Sequence, residues 1–241
     1  MEKFKCGLQS IQPTKIIDKS KIDDIDNLFL SFGLIFNDLK GIILFSDILK
    51  KEYEKPVPEE ISAHSGEYAG IQLQILKLSV ALIDEFFIVL EKNKDVIRGF
   101  RFKMIEKNLN KELKNKWANI LFIALNPKNN SDSYLSKIAR VRSNITYHYD
   151  HSGTQLRNSF IKKFFDTPKD KSNEKAYYSM GGTIETTRFF YCDAVINEYI
   201  NEHLKLESLD YIDKTNKVTR DVSMVIVNLM ESYYLYKKNK K

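Results

Sequence analysis

Arg142 and His148 stand six positions apart in "VRSNITYHYD", residues 141–150, with Asn144 between them. A histidine that titrates near neutrality can act as a general base and then as a general acid. An arginine grips phosphate through a planar fork of donors. Together they are a minimal set for cutting RNA. The base takes the 2′-hydroxyl proton, the freed oxygen attacks the adjacent phosphorus, and the cation holds the phosphate as its charge builds. The attacking group belongs to the substrate. The protein need supply no nucleophile, metal or other cofactor.

A helix has to position these groups. "NPKNNSD" reads as a loop, with Ser131 or Asp132 as the N-cap of a helix reaching about Asp150. Gly153 in "HSGT" is expected to stop it. At 100° per residue, Tyr134, Ile138, Val141 and Ile145 form one narrow apolar stripe. His148 continues it one turn on. Asn144 and Arg140 lie on one flank, Arg142 and Tyr149 on the other. The imidazole therefore points toward an apolar contact bordered by polar groups. Desolvation and a neighbouring guanidinium would both lower its pKa. The competing reading is a hydrogen-bonded core histidine.

The spacing Arg142 to His148 resembles the motif of the HEPN superfamily, an arginine, four to six residues, then histidine. These are helical-bundle proteins, many of them ribonucleases of bacterial toxin–antitoxin, abortive-infection and CRISPR systems. In them the motif sits on a late helix, after a long helical pair. The resemblance covers about residues 60–165. It implies a homodimer whose motif helices face each other over a shared basic cleft. It implies endoribonuclease activity without metal, leaving a 2′,3′-cyclic phosphate, and a possible antitoxin or other partner protein. By motif match Arg142 binds phosphate and His148 is the acid/base. Asn144, Arg140 and Tyr149 are candidate substrate-binding residues, and Arg140 is an alternative phosphate ligand. On one helix Arg142 and His148 are about 9 Å apart along the axis and about 120° around it. A partner chain would close that gap across a two-fold axis.

Other chemistries fit less well. His148 and His151, with Asp150 between, could hold a metal, but no third ligand is visible and none is expected. His64 reads as a surface or cap residue and Arg188, among aromatics, as a core pairing or stacking residue. His203 has no identifiable partner. "MGG" at 180–182 is too short for a phosphate loop and lacks the following Lys-Ser/Thr. There is no nucleophile elbow or paired-carboxylate signature. A second reading is a HEPN-like module that binds a nucleotide or protein without catalysis. A third is a regulatory helical protein with His148 in its core.

The scaffold follows from composition and periodicity. At 241 residues and 43% hydrophobic the chain can build one core, so a single domain over 1–241 is expected. Nine glycines and five prolines leave long uninterrupted segments, which favours an all-α helical bundle of about six or seven helices. Helices are expected at about 23–54, 60–95 and 110–125, then the motif helix and the basic amphipathic "QLRNSFIKKFF". Two more, at about 184–205 and 215–238, close the chain. Residues 20–55 and 184–238 would flank the HEPN-like core. Residues 1–20, and the segment from Asp166 to Gly182, read as irregular, the latter with a short extended stretch.

Net charge is +6, and its placement matters more than its size. Residues 98–116 carry seven Lys/Arg against two Glu, and the tail "KKNKK" adds four lysines. Two basic patches on a mildly acidic body would suit RNA, whereas a solvated helix face is the plain alternative. Cys6 and Cys192 show no zinc or disulfide spacing, which fits reduced thiols and a cytoplasmic protein. The first fifteen residues have no apolar h-region, so no secretory signal is expected. "NLFLSFGLIFNDLKGIILF" is interrupted by Asn37, Asp38 and Lys40 and reads as a buried core helix, not a membrane span.

Overall fold

The long helices obey the hydrophobic period, and the caps fix where each begins. In the computed structural model, residues 10–17, 19–57, 62–126, 134–138, 153–166, 175–204 and 210–239 are described. They form an all-α bundle. After a short turn of helix, α1 (Pro13–Ile16), α2 runs over Asp24–Glu52. The Asp23 carboxylate caps α2 by accepting from the Ile25 amide at 3.1 Å, and Asp24 and Asp26 add negative charge to its first turn. α3 (Ala63–Lys92) starts with a reciprocal capping box between Ser62 and Ser65. α4 (Lys94–Arg98) and α5 (Phe100–Glu106) are separated by the extended Gly99. Asn110 caps α6 (Lys111–Leu125) by accepting from Leu113 N at 2.9 Å.

Residues 134–138 form α7. α8 (Gly153–Phe164) is the predicted basic amphipathic piece, with Gly153 as its first residue; the expected stop before it lies outside the described residues. α9 (Phe190–Leu204) and α10 (Asp210–Asn239) complete the chain. Two boundaries differ from expectation. The closing pair does not begin at 184, because Ile184–Thr186 is a single 3-10 turn that Thr183 and Thr186 cap reciprocally. Ser179 and Arg188 then pair as an antiparallel bridge, so the chain is extended before α9 begins at Phe190. α10 starts at Asp210, five residues earlier than periodicity suggested.

α2, α3 and α10 make the central layer, with α5 and α6 against one part of it and α8 and α9 paired beside α3. A chain of rings joins these elements. Phe29 of α2 stacks on Tyr233 of α10, centroids 4.2 Å apart and nearly parallel. It also stacks on Phe102 of α5, which stacks in turn on Trp117 of α6. Phe32 meets both Trp117 and Phe86 of α3 edge-on. Phe29, Phe32, Phe86, Phe102, Trp117 and Tyr233 are all essentially fully buried. Burying each such ring stabilises the fold by about 1.5–3 kcal/mol relative to exposure.

At the end of this chain of rings sits a buried charge. Asp26, in the first turn of α2, accepts from Tyr233 Oη at 2.9 Å and from Lys237 Nζ at 2.7 Å. Asp26 is 3% and Lys237 8% exposed, so neither is well hydrated. Burial, and then the adjacent Asp26 carboxylate, push the Tyr233 phenol upward, so it stays a protonated donor. Beside this group Asp23 takes a two-point ion pair from Arg101 of α5, at 2.6 and 3.2 Å. Burial opposes the Asp23 charge, but Arg101 and the Ile25 amide outweigh it and hold the carboxyl below its ordinary range. Further along, Arg220–Asp47 and Lys50–Asp213 set α2 and α10 antiparallel.

The expectation of a buried α2 is only half met. Its inner face supplies Leu28, Phe29, Phe32, Ile35 and Leu39 to the core. Its outer face presents Leu30, Leu34, Leu44, Phe45 and Ile48 to the surface, with Leu34 67% exposed. Only 28% of its most apolar window is buried, and by length and composition it is apolar enough to cross a membrane.

Removing one member of a buried ion pair strands the other. Asp26→Ala is therefore expected to lower the unfolding free energy by about 3–5 kcal/mol. Thermal or urea denaturation followed by helicity measures this, and a decrease below about 1 kcal/mol would contradict it.

Candidate functional site

The helix expected to carry the motif is described at its start. Tyr134, at the head of α7, shares a 2.6 Å hydrogen bond with the Thr215 hydroxyl of α10. Thr215 is fully buried, and its carbonyl accepts from the Thr219 hydroxyl one turn on. Ile138 is 0% exposed and Tyr134 is half-buried, so the first two members of the predicted stripe face inward. Leu135 and Ser136 are buried as well. The inward face of α7 is thus wider than a stripe at 134 and 138. Arg140, Arg142, Asn144, His148 and Tyr149 all lie outside the described residues, and so do Asp150 and His151.

The basic run of residues 98–116 is distributed over the end of α4, all of α5 and the first turns of α6. Three of its seven cations are engaged in ion pairs. Arg101 holds Asp23, Lys103 holds Glu106 at 2.6 Å, and Lys116 bridges Glu112 and Asp221 of α10. The two carboxylates, Asp221 first, raise the Lys116 pKa. Arg98, Lys107, Lys111 and Lys114 are exposed and take part in no ion pair among the described residues. Lys114 Nζ donates to the Lys107 carbonyl at 2.9 Å, which pins it beside the turn between α5 and α6. These four are the part of the run that could meet phosphate.

Arg188 has the structural role its aromatic neighbours suggested. Its Nη1 donates to Glu67 of α3 and its Nε to Asp193 of α9, each at 2.8 Å. Burial works against its charge, but both carboxylates outweigh that and raise its pKa. The guanidinium lies so close over Gly70 that a Cβ there would collide with it. Arg188 is thus committed to joining α3, α9 and the extended bridge. His64 is also accounted for at the surface. Its Nε2 is 2.9 Å from the Glu54 carbonyl and its ring stacks on Tyr53 at 5.2 Å. Among the described residues there is no group of three or more His, Cys, Asp or Glu placed to hold a metal.

Sequence reasoning missed Lys77 and Asp84, both 8% exposed on α3. Their signal was present. Seven residues apart, they share one line of the helix, immediately beside the apolar positions Leu76, Val80, Ile83 and Phe87. Lysine and aspartate are seldom buried unless they are paired.

Comparison with known protein families, with curated proteins and with solved structures finds no match.

The four exposed cations generate a direct expectation. If RNA is the partner, replacing Arg98, Lys107, Lys111 and Lys114 with glutamine should flatten the salt dependence of its binding. The log–log slope should fall by about 0.7 for each single-strand phosphate that the variant no longer neutralises. Titration of labelled RNA between low and moderate salt checks this. An unchanged slope would mean that these four cations hold no RNA.

Proposed function

We propose that the chain is a metal-independent endoribonuclease of HEPN type that works as a homodimer. The observation that carries the reading is the Arg142…His148 spacing, predicted to lie on a helix whose first residues are seated in the core of an all-α bundle. His148 takes the 2′-hydroxyl proton and returns a proton to the leaving 5′-oxygen. Arg142, or Arg140, neutralises the pentacoordinate phosphate. Asn144 and Tyr149 touch the substrate beside them. The second chain of the dimer supplies the other half of a shared cleft, with a defence or toxin role and a partner protein as its setting.

Two features of the described residues support this reading. Within the stretch the resemblance covers, the long α3 packs against α6 ahead of the motif. Four exposed cations on α4–α6 give a polyanion somewhere to approach.

The test is incubation of purified protein with total tRNA and mRNA in EDTA, beside His148→Ala and Arg142→Ala of unchanged helicity and mass. Wild type should cut, and each variant should be slower by at least about 100-fold, the usual scale when an acid/base group is removed. Equal activity in all three would contradict the assignment of these residues. A fully active monomer would contradict the shared cleft.

A further inference from the structure

Between α8 and α9, against the middle of α3, lies a pocket of about 550 Å³. That is within the range of small-ligand sites, roughly 300–1,000 Å³. Its wall is apolar, with Leu156 and Phe160 from α8 and Val195 and Ile196 from α9. Arg157 and Lys77 bring two cations to it. Arg157 is exposed and takes part in no ion pair among the described residues. The acid in the lining, Asp193, already accepts from Arg188. The pocket therefore offers an apolar wall beside the exposed Arg157 guanidinium, which suits a planar ring joined to an anion.

The rings around it extend this chemistry beyond one ligand. Phe165, Phe160, Tyr191 and Phe189 form a row, with successive centroids 6.2, 6.4 and 6.2 Å apart. Phe160 and Tyr191 are half-buried at the pocket, whereas Phe165 and Phe189 are 73% and 46% exposed at the two ends. Aromatic rings left in water beside cations are what a single-stranded nucleic acid stacks on. The row also sits close in sequence to the motif. α8 begins at residue 153, five residues after His148.

We propose that this pocket takes one unstacked base of a single-stranded RNA, its ring against Tyr191 and Phe160 and its phosphate at Arg157, with neighbouring bases on Phe165 and Phe189. The proposal rests on the ribonuclease reading for the identity of its ligand. It adds what that reading lacks, a means of choosing unpaired RNA. A duplex keeps its bases stacked on one another and offers no free face.

The experiment uses the full chain and a fluorescent 12-nucleotide single strand that is fully 2′-O-methylated, so that it has no attacking hydroxyl. Tyr191→Leu keeps the apolar wall but removes the ring, and Arg157→Gln removes an exposed charge; both are first checked for unchanged melting temperature. Each should weaken binding about tenfold, the scale of one stacked base or one neutralised phosphate. The same oligomer annealed to its complement should be insensitive to Tyr191→Leu. In a Cys6→Ser background, saturating single strand should slow alkylation of the exposed Cys192 several-fold. Wild-type affinity in both variants, or an unprotected Cys192, overturns the pocket. If those results coincide with cleavage of unmodified RNA, the pocket fails and the ribonuclease reading stands. If the single strand binds through Tyr191 and unmodified RNA remains uncut, the pocket stands and the ribonuclease reading fails.

Discussion

The buried Asp26 carboxylate is the constraint around which the bundle is arranged. It lies in the first turn of α2, and its partners Tyr233 and Lys237 lie in the last turns of α10. An unpaired charge in that position would be strongly disfavoured, so the two ends of the chain must meet with the right helical phase. Once they meet, Tyr233 is placed flat on Phe29, and the ring packing of Phe102, Trp117, Phe32 and Phe86 follows. Apolar burial supplies most of the stabilisation. The charge group adds to the register, because rotating α2 would part Asp26 from Tyr233 and Lys237 and leave a charge buried without a partner.

α10 transmits that register to α7. Its last turns hold α2 and its first turns hold Thr215, which bonds to Tyr134 at the head of α7. Its middle holds α6 through Asp221 and Lys116. The helix on which the Arg–His chemistry is expected is therefore tied, at its start, to the same element that closes the fold. The basic residues of α4–α6 are governed by the same packing, since Arg101 and Lys116 are consumed in bonds to the α2 cap and to α10. What is left exposed is the smaller set Arg98, Lys107, Lys111 and Lys114.

Much of this could be read from the chain. Helices were expected at about 23–54, 60–95 and 110–125, and α2, α3 and α6 occupy those stretches. Asn110 began a helix because a side-chain acceptor is worth most where amides have no partner. Long-range pairing was not legible. Nothing local to Arg101 or Lys116 names Asp23 or Asp221, which lie 78 and 105 residues away. The turn at Thr183–Thr186 looked like the start of α9, because its composition suits either a helix or a cap. The outer face of α2 was misjudged for a different reason. Hydropathy reports that a helix is apolar all round, not which side the core will use. As for the candidate site, the sequence supplies its residue types and spacing, and the described residues supply only the seat of its helix.

The central claim is that an arginine and a histidine cleave RNA by using the substrate's own 2′-hydroxyl. The end groups of the products test it most directly. Mass spectrometry of a defined oligoribonucleotide cut by the purified protein should find 2′,3′-cyclic phosphate on the upstream fragment and 5′-hydroxyl on the downstream one. A 3′-hydroxyl with a 5′-phosphate would mean that water or a metal-bound hydroxide attacked instead, and would contradict the account.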